Sequence, residues 1–288
     1  MRHVITLSTI PPRFSEIAAT LQSLVAQRSR PEAVELYIPR TYRRFPQWGG
    51  GLPMVPDGVT IVRVDEDLGP GTKVLPAARA RRGQAVDLIF GDDDGWYPPN
   101  WASRVLAVRK EHPDAAVCGA VRSILRIGKP WIASDPQPRA QLKPLRKFQK
   151  AYHLQRLTLG TRSLLGFPAG KVRSMPTLAT SGYADLMLGY GGVAVRPDFF
   201  DDAALAIPEV LWAVDDIWIS GHLERRGIPI WGDTRLNLIS KVLSVSDSYP
   251  LYRAVIDGAN RRAANLACVT YMRKTYGIWG GADAVQST

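Results

Sequence analysis

Short apolar runs alternate with helix-spaced segments from Val4 to Val121, and this rhythm leaves the chain few architectures to adopt. Val4-Ile5-Thr6-Leu7 has the form of a short buried strand, and Pro11-Pro12 break the chain after it. Phe14, Ile17, Leu21, Leu24 and Val25 then fall at helical spacing, which predicts an amphipathic helix over 14–27. Val34 to Ile38 and Val59 to Val64 read as second and third strands, with a Gly/Pro-rich loop between them that contains Gly49-Gly50-Gly51. Asp87 to Phe90 predicts a fourth strand, Trp101 to Glu111 a helix, and Ala115 to Val121 a fifth strand. Such alternation predicts an α/β fold, with an open, largely parallel sheet flanked by helices. Ligands of such sheets bind beyond the carboxyl ends of the strands. Ser8 to Arg13, Asp65 to Lys73 and Asp92 to Asp94 all follow strands, so they are predicted to converge on one edge.

From about 122 to 180 the rhythm is lost. This stretch holds a basic run, Lys143 to Arg156, that carries Phe148 and Tyr152, and it reads as an insertion on the acceptor side of the site. Order returns over Gly182 to Val195 and in an acidic helix near Val214 to Glu224; a further helix is predicted around Leu251 to Tyr271. The expected organisation is a single catalytic domain over 1–243 and a helical extension with a tail over 244–288, within a chain long enough for one sizeable core. No internal repeat interrupts this plan.

Lys and Arg number 37 against 26 Asp and Glu, a formal charge of +11 that favours anionic partners or an acidic membrane surface. A solvated basic surface accounts for the same excess. Cys118 and Cys268 are the only cysteines, too few for a disulfide framework or a cysteine metal site, and a reducing compartment is the simple expectation. The N-terminus lacks the long apolar core of a signal peptide, and no apolar stretch reaches membrane-spanning length. A cytoplasmic location is the expectation, with the basic run offering either peripheral contact to an anionic membrane or a solvated helix face.

Asp92-Asp93-Asp94, at the end of an apolar strand and ahead of Trp96-Tyr97-Pro98, is the sharpest chemical feature. Adjacent carboxylates repel one another and call for a cation or strong donors. Hard oxygen ligands suit Mn²⁺ or Mg²⁺, and a nucleotide diphosphate would complete the shell. A solvated acidic turn is the plainer reading. Asp215 and Asp216 open the acidic helix, where carboxylates suit the helix dipole; one of them could instead act as a general base. Asp67-Leu68-Gly69-Pro70-Gly71-Thr72-Lys73 could present backbone N–H groups and a cation to phosphate, or be an ordinary turn. Gly189-Tyr190-Gly191-Gly192 permits close approach of backbone to a ligand, and equally a tight turn with none. His3, His112, His153 and His222 are scattered and form no ligand pair.

Taken in order, these features resemble the GT-A-fold glycosyltransferases, bacterial family-2-like enzymes that use nucleotide-sugars. The resemblance spans roughly residues 3 to 231. Ser8-Thr9-Ile10-Pro11-Pro12-Arg13 looks like their opening strand and nucleotide-base loop, Asp92 to Asp94 like their DXD metal motif, Gly189 to Gly192 like their glycine-rich loop, and Asp215-Asp216 like their second acidic motif. The resemblance implies a metal-dependent, inverting transfer from a nucleotide-diphosphate sugar, with a UDP-sugar as expected donor and a hydroxyl of a glycan or lipid-linked glycan as acceptor. It places Thr9, Pro11 and Arg13 at the base and ribose, and Asp67, Lys73, Gly191 and Gly192 around the donor. Asp92 and Asp93 would hold the nucleotide, Asp94 with Asp92 the Mn²⁺ or Mg²⁺, and Asp216 would be the base with Asp215 as second choice. Many members add a metal-binding His after the second acidic motif, but none follows His222 here. Two other readings fit part of the pattern: a metal-dependent phosphoryl-transfer enzyme acting on nucleic acid, and a non-enzymatic anion-binding protein. The first leaves the nucleotide-loop-like start and the glycine loop unexplained, so nucleic acid is not an expected partner.

Overall fold

A computed structural model of the chain describes residues 1–128, 136–143, 157, 177–237 and 261–280. Strands β1 (His3–Ser8), β2 (Ala33–Pro39), β3 (Val59–Val64), β4 (Asp87–Phe90), β5 (Ala116–Cys118), β9 (Gly182–Ala184), β11 (Val193–Val195) and β12 (Ile230–Gly232) form an eight-stranded sheet in the order β3-β2-β1-β4-β11-β5-β12-β9. The β1–β4 half is parallel throughout. β11 enters antiparallel between β4 and β5, so the loop leading into β11 lies beside the carboxyl end of β4. Two small sheets pair β6 (Val121–Arg122) with β10 (Leu186–Met187) and β7 (Gln141–Lys143) with β8 (Thr177–Thr180).

Strand periodicity divides the core into two layers. Val4, Leu88, Phe90, Ala116, Cys118, Val193 and Val195 face one cluster; their neighbours Ile5, Ile89, Val117 and Ala194 face the other. Helices cover both faces, which is why these strands read as continuous apolar runs rather than alternating ones. On one side lie α1 (Ala18–Val25) and α3 (Trp101–Glu111); on the other, α2 (Leu75–Ala80), α4 (Asp215–Arg225) and α5 (Arg261–Tyr276).

The structure departs from the sequence expectations in four places. The helix predicted over 14–27 is shorter, Ala18–Val25, and follows a 3-10 turn over Pro11–Arg13. Phe14 joins an aromatic group with Tyr42 and Trp48 instead of the helix face. Helix α2 carries no sequence signal, because six residues are too few to show a period and Pro76 reads as a breaker. Within the first turn, however, proline is tolerated. The predicted fifth strand divides at Gly119-Ala120, where the Gly119 N–H turns to the Gly192 carbonyl. The C-terminal helix ends at Tyr276 rather than Tyr271, and its described part starts at Arg261. The basic run beyond Lys143 lies outside the described residues. Among the described residues no helix is long and apolar enough to cross a membrane.

Helix α5 packs on α4 through Cys268, Val269 and Met272, and this contact encloses His222. Its ring lies 4.6 Å from that of Trp218 and 5.3 Å from that of Tyr276, and among the described residues neither ring nitrogen has a hydrogen-bond partner. Burial, helped by Arg225 and opposed by Asp201, lowers the His222 pKa to about 4. The unfolded chain therefore takes up the proton first. The stability that neutral His222 preserves is present above the unfolded value of about 6.5 and is lost as pH falls toward the folded value, on the order of 3 kcal/mol in all. Unfolding free energies measured by urea titration between about pH 7 and about pH 4.5 should fall more steeply for the wild type than for His222→Leu. Equal slopes would show that His222 does not titrate in this way.

Candidate active site

Parallel pairing of β1 with β4 sets their carboxyl ends side by side, and the loops that leave them interlock. The Thr9 hydroxyl donates to Asp93 Oδ2 at 2.6 Å, and the Arg13 guanidinium forms an ion pair with the same carboxylate. Thr20 of α1 donates to the Asp93 carbonyl at 3.0 Å, and the Tyr42 hydroxyl holds the Thr9 carbonyl at 2.8 Å. Pro11 shapes the intervening 3-10 turn and so fixes where Arg13 starts. Burial raises the Asp93 pKa to about 6; Arg13 and the Thr9 hydroxyl pull it down, while Asp94 and Asp92 push it up. Asp93 thus ties the first loop to the acidic motif.

Asp92 faces another way. Its Oδ1 accepts from Lys73 Nζ at 3.0 Å, and its carbonyl accepts from the buried Tyr97 hydroxyl at 2.7 Å. Asp94 is partly exposed. Asp67 serves its own turn: its carboxylate accepts the Gly69 and Arg43 N–H groups, each at 2.9 Å, and its carbonyl accepts the Trp212 indole N–H at 2.8 Å. The last bond ties the lysine turn to the chain that leads into α4.

The two acids at the start of α4 divide. Asp215 is buried, with its Oδ2 2.8 Å from Lys73 Nζ. Asp216 is partly exposed, and its Oδ1 accepts the Gly189 N–H at 2.9 Å. Burial alone would depress the Lys73 pKa, but Asp215, Asp92 and Asp216 outweigh it and hold the ammonium well above the ordinary lysine value. Gly189 makes this arrangement possible, since a Cβ there would come within 2.5 Å of Lys73 Nζ. Gly191 and Gly192 meet the protein's own chain. A Cβ on Gly191 would lie 2.5 Å from Ala120, and Gly192, at φ +76°, faces Trp101.

Thr9, Arg13 and Asp93 therefore form one group, and Lys73, Asp92, Asp215, Asp216 and Gly189 an adjoining one. Asp67, Gly191 and Gly192 shape the walls. Sequence reasoning found the glycine loop but expected its site residues at Gly191 and Gly192 rather than Gly189, gave Tyr97 no role beyond following the acidic triplet, and missed Thr20 and Tyr42. Of these Thr20 left a trace, as a hydroxyl residue between helix positions that pack inward, Ile17, Leu21 and Leu24.

Among the described residues, no three His, Cys, Asp or Glu side chains form a ready-made metal cage. A divalent ion carried by a nucleotide diphosphate needs less, commonly one or two carboxylates with phosphate oxygens and water. The partly exposed Asp94, beside Asp92, fits that requirement.

Residues 52–165 match the family model described as glycosyl transferase family 2, a span that takes in the lysine turn and the first acidic motif but not the second. Among curated proteins, nothing matches the chain. Solved structures give distant likenesses. GalNAc-T7, crystallised with UDP, GalNAc and Mn²⁺, is 14% identical with a TM-score of 0.43, covering 82% of this chain and 43% of its own. The chain thus spans less than half the length of that protein. TarS 1-349 of S. aureus is 11% identical with a TM-score of 0.40 over 100% of this chain and 76% of its own. The synthase of 4-diphosphocytidyl-2C-methyl-D-erythritol is 9% identical with a TM-score of 0.39 over 82% and 91%. No argument about function follows from likeness at this level. The family match gives residues 52–165 a likeness to glycosyl transferase family 2, and the open, largely parallel sheet with β11 set antiparallel between β4 and β5 is that of a GT-A-type fold.

Proposed function

We propose that the protein transfers a sugar from a nucleotide-diphosphate sugar, a UDP-sugar in the first instance, to a hydroxyl of a glycan or lipid-linked glycan, with inversion and with Mn²⁺ or Mg²⁺. The observation that carries this reading is the meeting of two acidic motifs at one sheet edge, joined through Lys73. In this reading Thr9, Pro11 and Arg13 border the base and ribose, and Asp94 with Asp92 would hold the metal. When bound, the ion supplies positive charge to the departing diphosphate. Asp216 takes the proton of the acceptor hydroxyl. The acceptor oxygen bonds to the anomeric carbon as the bond from that carbon to the diphosphate oxygen breaks, and the diphosphate leaves with the electron pair. One displacement of this kind inverts the anomeric centre. The partial exposure of Asp216, against the burial of Asp215, supports Asp216 as the base. A screen of nucleotide-sugars for metal-stimulated hydrolysis tests the reading; no turnover with any donor would reject it. Peripheral attachment through Lys143 to Arg156 belongs to the same proposal, and equal pelleting with neutral and anionic liposomes would reject that part.

Removing the metal carboxylate should weaken metal-dependent donor binding without altering the fold. Asp94→Ala should weaken calorimetric affinity for UDP plus Mn²⁺ by about ten-fold or more, equivalent to about 1.4 kcal/mol, while the circular dichroism spectrum stays unchanged. Unchanged affinity would remove Asp94 from the metal site.

The two acids of α4 should separate in their effects. Asp216→Asn should fold normally, keep donor affinity within a few-fold and lose about 10²–10⁴-fold in kcat, the usual contribution of a general base. Asp215→Asn breaks a buried ion pair but leaves Asp92 on Lys73, so a cost of about 3 kcal/mol in stability and a lower Tm are expected. Near-native kcat in Asp216→Asn would transfer the role of base to Asp215 or point to a retaining enzyme.

A further inference from the structure

The first acidic motif ends a strand, and the second begins a helix far along the chain. No strand pairing joins them: β4 pairs with β1 and β11. Lys73 spans the gap. Its side chain is 6% exposed, with Nζ 3.0 Å from Asp92 Oδ1, 2.8 Å from Asp215 Oδ2 and 5.8 Å from the centroid of the Phe90 ring. Asp216 reaches the same place indirectly. Its Oδ1 accepts the N–H of Gly189, whose missing side chain leaves room for the ammonium. Carboxylates from two motifs thus surround one fixed cation, where without it they would repel.

Resting on the glycosyl-transfer reading above, we infer that Lys73 is a positioning residue, a resident cation that clamps the two acidic motifs together and occupies the space between them, so that the exchangeable divalent ion is confined to the Asp94 side. An ammonium tethered to the chain does not leave with the product, as a metal-diphosphate complex can. The spacing of the two acidic motifs is therefore held in the empty enzyme as well as the loaded one. Such pre-orientation lowers the reorganisation needed at the moment of reaction. The same geometry makes a second statement. Take away the ammonium, and Asp92 and Asp215, the two carboxylates at hydrogen-bonding distance from it, are left facing the same space as hard oxygen ligands of the kind that Mn²⁺ accepts together with water.

The test uses the full chain and Mn²⁺ alone, without nucleotide. Isothermal calorimetry and Mn²⁺ electron paramagnetic resonance on Lys73→Met should reveal a metal site that the wild type lacks, at least about ten-fold tighter than any wild-type binding, with a Tm that rises on Mn²⁺ addition. Lys73→Arg, which keeps the charge, should not gain it. Folded Lys73→Met that binds Mn²⁺ no better than the wild type overturns the inference, whatever its activity. Should Lys73→Met fold only when Mn²⁺ is supplied, the ion is replacing the ammonium and the inference stands. Should it fail to fold even then, Gly189→Ala decides. Its methyl would push the ammonium out from between the carboxylates, so kcat should fall at least about ten-fold with donor affinity nearly unchanged; native kcat overturns the clamp. The Mn²⁺ titration requires no turnover. A wild type inactive on every nucleotide-sugar would reject the glycosyl-transfer reading while leaving the clamp to be judged on metal binding.

Discussion

A lysine ammonium enclosed by carboxylates from two distant segments is the interaction on which the arrangement of this site depends. Moving charges out of water is costly, and a buried pair repays the cost only when its geometry is good and the remaining polar atoms are satisfied. Here the cation has two carboxylate partners at hydrogen-bonding distance, and a third acid is held nearby through a backbone N–H. Such an arrangement contributes more to placement than to net stability. It also explains features that look separate in the sequence. The Gly-Pro-Gly turn ends on Lys73, and the glycine loop before β11 approaches the ammonium at Gly189 without a side chain in the way.

A second anchor works on the other side of the acidic triplet. Asp93 is bound by Thr9 and Arg13 from the first loop, and by its carbonyl to Thr20 of the first helix. Neighbouring carboxylates that repel one another are therefore drawn apart, Asp92 toward Lys73 and Asp93 toward Arg13. Asp94 is partly exposed, and the ion pairs of Lys73 and Arg13 go to its neighbours. The three adjacent acids thus have three different surroundings, and their chemical roles follow from those surroundings rather than from their shared identity. Asp215 and Asp216 repeat the pattern. Successive residues on a helix point about 100° apart, so one carboxylate meets Lys73 while the other stays partly exposed.

Behind both anchors lies the alternation of β11 with its neighbours. An antiparallel strand set between β4 and β5 brings its preceding loop to the same edge as the ends of β1 and β4. That placement lets Gly189 reach Lys73 and Asp216 while Gly191 and Gly192 pack against Ala120 and Trp101. The Tyr97 hydroxyl on the Asp92 carbonyl and the Trp212 indole N–H on the Asp67 carbonyl then tie down the loops.

Much of this architecture is written locally. Apolar runs buried on both faces announced β1, β2 and β4, and the helical spacing of Ile17, Leu21 and Leu24 announced α1, because burial of a strand or helix face leaves a period in the residues themselves. The acidic triplet, the paired acids and the glycine loop could also be picked out, since unusual local composition stands out without knowledge of the fold. Helix α2 could not, being too short to show a period, nor could the division of the fifth strand at Gly119, which answers to a contact with Gly191 and Leu236. By itself the sequence determined the α/β class, the segments that gather at the sheet edge and the residue types available for chemistry there. Tertiary structure alone decided that Lys73 joins Asp92 to Asp215, that Asp93 belongs to Arg13, and that Asp216 rather than Asp215 is partly exposed. Those pairings join residues far apart in the chain, and their geometry is set by strand order and by which side of a helix turns inward, neither of which leaves a mark on neighbouring residues.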